Sequence, residues 1–355
     1  MKIWLASMVS IGLLASCGGK KEEGGKGTAS GSGPATPPSG GAVTINGSGA
    51  TFQKAFQEVA IEGFKKADPK ITVNYGGGGS GKGRQDFADM VTDYGCSDAP
   101  YKDEDKAKVK GGEFVYVPML LGAITVSYNV PGVDKLQLSP DTIAKIFQRE
   151  IKKWNDPAIA ADNTGVKLPA TDIVVAHRSD GSGTTQQFTL YLTKASPAWK
   201  LKSGSTVEWA ADTQAGNGNS GVAQIVKSTA GAIGYVDLPD AKASGLKYAS
   251  VKNQAGKFIE PTLASTQAAG DGIEVKDDLT FESVNSKAEA AYPITAPSWC
   301  MAYVKPADKA KGAAVKAYLK YMVTDGQALT KEIDFAPLPK ALQEKAIAQV
   351  EKIQI

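Results

Sequence analysis

Apolar strand-like runs that end in turns of small residues, each turn carrying a polar side chain, recur along this chain. No other feature limits its fold as much. Val43 and Ile45 lead into Gly47-Ser48-Gly49-Ala50-Thr51, and Ile71, Val73 and Tyr75 lead into Gly76-Gly77-Gly78-Gly79-Ser80-Gly81. A third run, Tyr94 to Ser97, ends at Asp98-Ala99-Pro100. Helix-like sequence follows the first two turns, with Phe52, Phe56, Val59, Ala60 and Phe64 at three-to-four spacing after one, and Phe87 and Met90 after the other. A fourth run, Ile173 to Ala176, enters Arg178-Ser179-Asp180-Gly181-Ser182-Gly183-Thr184-Thr185 and then a helical pattern through Phe188, Leu190, Tyr191 and Leu192. Strands alternating with helices predict an α/β sheet, and ligands of such sheets gather at the C-terminal ends of the strands.

The fourth turn carries the most chemistry. A Gly-rich turn between strand and helix collects free backbone N–H groups, which suits an anion. Ser182 and Thr184 add hydroxyls, and Arg178 adds charge and paired donors for an oxyanion. Asp180, two residues on, is placed to pin the guanidinium and temper its charge. Thr51, Ser80 and Asp98 stand at the other strand ends. Singly, Asp98 and Arg178 would more often be members of a structural ion pair; their convergence with hydroxyl-bearing turns points to a ligand. The Asp98 carboxylate narrows the choice. Beside a fully deprotonated oxyanion it would be repelled and unsatisfied, which is costly in a dry site. Beside an anion that keeps a proton it accepts a hydrogen bond, so it selects for such an anion.

Other motifs fail on inspection. Gly76-x-Gly78-x-x-Gly81 matches a dinucleotide fingerprint only as any glycine run does. Gly76 to Gly83 nearly spells a phosphate-binding loop with Lys82, but Gly83 stands where a Mg²⁺-holding hydroxyl is needed. Ser182 lacks a nucleophile elbow, because 180 is Asp and 184 is Thr. His177, the single histidine, lies five residues from it, which leaves a triad disfavoured. One histidine and unclustered cysteines do not make a metal site, and no cofactor is expected.

The remaining chain supplies context. With 42% hydrophobic and 22% charged residues and a net charge of +3, it reads as a soluble globular protein with no nucleic-acid signature. Lys2 and the apolar stretch Ile3 to Ala15 form a signal peptide (1–16), too short for a span of ~20 residues. Leu14-Ala15-Ser16-Cys17 resembles the bacterial lipobox, making Cys17 the lipidation site; an ordinary signal peptide is the alternative. Residues 17–41 are Gly, Ser, Pro and Lys with almost no apolar content, and read as a flexible tether with a reach of roughly 25–30 Å. The expected location is therefore extracytoplasmic and lipid-anchored, on the periplasmic side or the cell surface. Cys96 and Cys300 are free to pair in such a compartment or to remain buried thiols. The apolar run Phe114 to Val130, one bent strand or two, suits a crossover between domains. Ser139-Pro140-Asp141 opens a helix carrying Ile143, Ile146, Phe147 and Ile151 toward Trp154. Ala215 to Gly221 reads as a loop. Residues 240–290 carry no legible pattern. Ser298 to Val304 forms a second crossover strand, followed by helices over 307–322 and 339–353.

With these residues in view, the chain resembles the substrate-binding proteins of bacterial phosphate (Pst-type) ABC transporters. The markers are Gly47 to Phe52, Asn74-Tyr75 with the following Gly/Ser loop, Gly95 to Pro100, Ile151 to Asp156, Arg178 to Thr184, Gly231 to Val236 and Tyr292 to Thr295. The resemblance implies a type II periplasmic-binding-protein fold with two crossover strands as hinge. Lobe I would comprise 42–127 and 294–355, and lobe II 128–293. It further implies a non-enzymatic monomeric receptor that closes on inorganic phosphate and hands it to the permease and ATPase subunits of a transporter. Its ligand contacts would be Thr51, Phe52, Ser80, Asp98, Arg178, Ser182, Gly183 and Thr184, with Asp180 behind Arg178. Departures are Lys82 and His177 beside the site and Cys96 before Ser97-Asp98; Lys82 would add a cation. The alternatives are a receptor for sulfate or molybdate, a secreted phosphatase using Ser182, or a sensory or adhesive lipoprotein.

Overall fold

The alternation read from the sequence is observed over residues 42–355, the residues described by a computed structural model of the chain. The signal peptide, Cys17 and the tether lie outside the described residues. The first elements are β1 (Val43–Gly49), α1 (Lys54–Ala67), β2 (Ile71–Gly77), α2 (Ser80–Ala88), β3 (Tyr94–Ser97) and α3 (Asp103–Lys106). Strand β1 is flanked in parallel by β2 and β3. Helix α1 buries Phe56, Ala60 and Phe64 on one face and closes its last turn with Lys65 and Lys66, which favour the negative end of the helix. Phe52 belongs to the turn before α1 and not to the helix, because the Gln53 cap separates them.

A single strand, β4 (Phe114–Asn129), organises the sheet. Its residues from Val115 to Tyr128 are all buried. The run is therefore one strand, and its irregularity sits opposite β12 (Thr295–Tyr303), where Ser298 faces Leu120 and Trp299 faces Pro118. Met119 is the extra residue of that bulge, beside a proline that has no N–H to offer the ladder. From Phe114 to Ala123 the partner of β4 is β12; from Ile124 to Asn129 it is β8 (Ala232–Asp237). The sheet order β2-β1-β3-β12-β4-β8-β6-β7 follows, with β6 (Val174–Arg178) and β7 (Gln214–Gly216) beyond β8. This is the mixed α/β sheet expected for the binding-protein fold, changing partners along a shared strand.

Between β4 and β6 lie β5 (Gln137–Leu138), α4 (Pro140–Phe147) and α5 (Pro157–Asp162). Ser139 caps α4, its Oγ accepting from the Thr142 N–H at 3.4 Å. The helix stops earlier than expected. Arg149 adopts φ 64°, and Ile151 and Trp154 are buried outside the helix. After β6 come α6 (Gly183–Ala195) and α7 (Gly218–Ser228), the latter growing out of the Gly/Asn loop. The segment without pattern holds α8 (Leu238–Ala243), β9 (Lys247–Tyr248), β10 (Ser250–Lys252), β11 (Phe258–Ile259) and α9 (Leu263–Ala268). The chain closes with α10 (Lys309–Val323), α11 (Gln327–Thr330) and α12 (Lys340–Glu351). Cys96 and Cys300 face each other in the β3/β12 register and are joined as a disulfide. Among the described residues no helix is long and apolar enough to cross a membrane.

Candidate functional site

Strand β6 delivers Arg178 to its C-terminal end, where the turn reverses into α6. Ser182 caps that helix, its Oγ accepting from the Thr185 N–H at 3.0 Å. With the Ser182 oxygen so used, its O–H remains to donate, and the N–H groups of Gly183 and Thr184 in the first turn have no intrahelical acceptor. Arg178 is 4% exposed and held rigidly. Its Nε donates to Asp180 Oδ1 at 2.7 Å, and its Nη2 to Asp180 Oδ2. Nη1 reaches Asn219 Oδ1 at 3.1 Å and Thr184 Oγ1 at 3.4 Å. Four of the five guanidinium donors are thus engaged, leaving one for a ligand. Asn219 Nδ2 also donates to Thr184 Oγ1, at 3.2 Å. Both acceptor sites of that hydroxyl are taken, so its proton points elsewhere. Burial pushes the Asp180 carboxyl upward, but Arg178 and the Gly218 N–H outweigh it and hold the group below the ordinary range.

The opposite wall comes from β1, β2 and β3. Asp98 is 1% exposed and accepts from Ser298 Oγ at 2.6 Å and from Ser80 Oγ at 3.1 Å, one hydroxyl on each carboxylate oxygen. Ser80 Oγ also accepts from the Asp98 N–H at 3.1 Å. The Ser80 hydroxyl is spent on Asp98, so its main-chain N–H in the first turn of α2 is the group left for a ligand. Burial lifts the Asp98 carboxyl to about 6 against the opposing pull of those two hydroxyls and of Arg178 and Arg84. Phe52 is buried with its ring against Phe335, which leaves its backbone N–H as its contribution. Thr51 Oγ1 accepts from the Asn219 N–H at 3.3 Å.

These walls touch. The Gly81 N–H donates to the Gly181 carbonyl at 2.7 Å, and Gln187 Nε2 to the Asp98 carbonyl at 2.6 Å. Thr51, Phe52, Ser80, Asp98, Arg178, Ser182, Gly183 and Thr184 are brought to one locus, with Asp180 behind Arg178. Arg178 and the hydroxyls stand opposite the Asp98 carboxylate, which accepts from Ser298 and Ser80. Such an arrangement of donors is chemically suited to an oxyanion.

Two residues singled out in the sequence do other work. Lys82 is largely exposed and pairs with Asp86 at 2.8 Å, so the expected extra cation is turned away from the site. The His177 Nδ1–H donates to the Arg178 carbonyl at 2.9 Å, Nε2 lies 3.0 Å from Thr213 Oγ1, and the ring stacks on Trp209. No hydrogen bond joins it to Ser182. Among the described residues no group of three His, Cys, Asp or Glu side chains is placed to hold a metal. Asn219, Ser298 and Gln187 escaped the sequence reading. Asn219 sits in a Gly/Asn stretch that looks like any loop, Ser298 is a polar residue in an apolar strand, and Gln187 is one of several polar residues in the first turns of α6.

The description "PBP superfamily domain" fits residues 32–326. A phosphate-binding protein PstS of Pasteurella multocida is 36% identical over 315 residues, 87% of this chain and 90% of the relative. A protein of the same name from Methanocaldococcus jannaschii is 36% identical over 80% of this chain and 79% of its own. Among solved structures, a high-affinity periplasmic phosphate-binding protein with bound phosphate superposes with a TM-score of 0.73 at 22% identity, covering 86% of this chain and 93% of its own. The last of these shows the fold alone; the curated relatives show more. The chain belongs to the PBP superfamily and, within it, to the family of PstS phosphate-binding proteins.

Proposed function

We propose that this protein is an extracytoplasmic receptor that encloses inorganic phosphate and delivers it to an ABC permease. One observation carries the choice of ligand: a site of hydroxyls, helix N-termini and Arg178 contains a single buried acceptor group, Asp98. A phosphate that keeps a proton donates it to that carboxylate, whereas sulfate has no proton to offer and is repelled by it. The ligand contacts in this reading are the N–H groups of Thr51 and Phe52, the Thr51 hydroxyl, the Ser80 N–H and Asp98. Facing them are Arg178, the Ser182 and Thr184 hydroxyls, and the N–H groups of Gly183 and Thr184.

The partner change along β4 at Ala123 and Ile124 supports the division into lobe I (42–127 and 294–355) and lobe II (128–293), with β4 and β12 as hinge. Closure would then form the contacts from Gly81 to Gly181 and from Gln187 to Asp98. We further read the protein as a monomer, lipid-anchored through Cys17, that works with permease and ATPase subunits. In this reading His177 does not act as a base for Ser182, since its ring nitrogens face the Arg178 carbonyl and Thr213 Oγ1. Titration calorimetry of the purified protein with phosphate and sulfate tests the reading. Tight phosphate binding with weak sulfate binding is expected; equal affinities would overturn it.

A further inference from the structure

A buried chain of hydrogen bonds runs into Asp98 from the far side of lobe I, and its direction is determined. Gln53 Nε2 lies 2.8 Å from Ser298 Oγ and 3.3 Å from the Trp299 carbonyl. A carbonyl only accepts, so the amide nitrogen of Gln53, and not its oxygen, must face Trp299 and Ser298. The Gln53 oxygen then accepts from Gln57 Nε2 at 3.0 Å. The Gln57 oxygen in turn accepts from the Tyr94 and Tyr318 hydroxyls at 3.2 and 2.9 Å. Burial keeps both of those phenols protonated, so they have protons to give. Every link points the same way. Because Ser298 Oγ accepts from Gln53, its own proton is directed onto Asp98 Oδ1, 2.6 Å away.

We propose that Ser298 and Gln53 are specificity-determining positioning residues, whose hydrogen-bond polarity commits Asp98 to accept and so sets the preference for a protonated oxyanion. The inference rests on the phosphate reading of the site. A buried carboxylic acid has two options. As the anion it accepts from a ligand; as the neutral acid it donates, and then welcomes a fully deprotonated oxyanion. The charged groups around Asp98 are Arg178 from the β6 turn and Arg84 from α2, and Tyr75 from β2 is a neutral neighbour. Burial opposes the two cations and the two hydroxyls and lifts the group to about 6, close enough to neutrality that loss of one hydroxyl bond shifts the balance. Ser298 supplies such a bond. Ser80, which bonds Oδ2, also serves the Asp98 N–H and touches the proposed ligand path; Ser298 touches neither, so its effect is exerted only through Asp98.

The test uses two readouts on the purified protein, Ser298→Ala, Gln53→Met and Ser298→Thr. The first is the infrared carboxylic-acid band of Asp98 in the ligand-free protein, assigned by its disappearance in Asp98→Asn and followed with pH. Loss of one hydrogen bond to the anion should raise its midpoint by about one pH unit in Ser298→Ala. A smaller rise is expected in Gln53→Met, and the parental midpoint in Ser298→Thr. The second is calorimetry with phosphate and sulfate at neutral pH, where the affinity ratio should fall roughly tenfold in Ser298→Ala. A Ser298→Ala protein with the parental midpoint and ratio would overturn the inference. A parent that binds no phosphate would instead overturn the functional reading, and the infrared midpoint would still judge the relay.

Discussion

A Cβ placed on Gly183 would lie 2.7 Å from Asp98 Oδ2 and 2.4 Å from Ser80 Oγ. The first turn of α6 is therefore pressed against the one carboxylate of the site, with no room for a methyl group. Gly183→Ala must part the walls or displace Asp98. Overpacking of this kind costs about 1–3 kcal/mol, so phosphate affinity should fall by roughly five- to 150-fold. The ligand-free protein should melt close to the parent, because the clash exists only when the walls meet. Calorimetry and thermal melts of the same preparation check both halves. Unchanged affinity would mean that the observed contact is not the bound arrangement.

Arg178 should tolerate no replacement. Its guanidinium bonds Asp180 through two nitrogens and Asn219 and Thr184 through the third. Arg178→Ala removes the cation and leaves the half-buried Asp180 with only the Gly218 N–H. Truncating one member of a buried charged pair costs roughly 2–5 kcal/mol, thirtyfold or more in affinity. Arg178→Lys should recover little, since an ammonium cannot reproduce the fork. Phosphate titrations of both variants decide it, and near-parental binding by Arg178→Lys would show that charge alone suffices.

How much of this was legible in the sequence follows the range of the interactions. Arg178, Ser182 and Asp98 announce themselves because glycines and hydroxyls crowd around them within a few residues. The strand-turn-helix units are local, and their apolar spacing predicts them. Ser298 reaches Asp98 across 200 residues of sequence, and nothing near Ser298 marks it as anything but a strand residue. Pairing of Cys96 with Cys300 depends on strand register between β3 and β12, which spacing alone cannot supply. The stretch 240–290 is built of strands two or three residues long and helices of six, too short to display a period. Lys82 misled for the opposite reason, since its neighbour at i+4, Asp86, draws it outward.

The Cys96–Cys300 bridge closes a loop spanning 204 residues of sequence. In the chain-entropy account such a loop stabilises the folded state by about 5 kcal/mol, and measured values often fall below that. Reduction, or Cys96→Ala with Cys300→Ala, should lower the guanidinium midpoint without changing the fold seen by circular dichroism. A midpoint unmoved by reduction would mean that the sheet already holds β3 against β12 in the unfolded reference, or that the thiols do not pair.

Asp98 should make both stability and selectivity depend on pH. Its carboxyl, lifted to about 6 chiefly by burial, favours the neutral form in the folded chain. The unfolded group titrates near 3.9, so below that pH its full contribution to stability is present, and it is lost as pH rises toward 6. The loss from this one group is roughly 3 kcal/mol. Melts of the ligand-free protein against Asp98→Asn should therefore show the parent losing its relative advantage between pH 4 and about 6. Binding should move with it. Above pH 6 the carboxylate accepts, and sulfate is rejected; below it the acid donates, and sulfate affinity should rise. In Asp98→Asn the amide neither titrates nor changes role, so that rise should vanish. Sulfate titrations at pH 5 and pH 8 with both proteins measure it, and a pH-independent sulfate affinity in the parent would remove Asp98 from the discrimination.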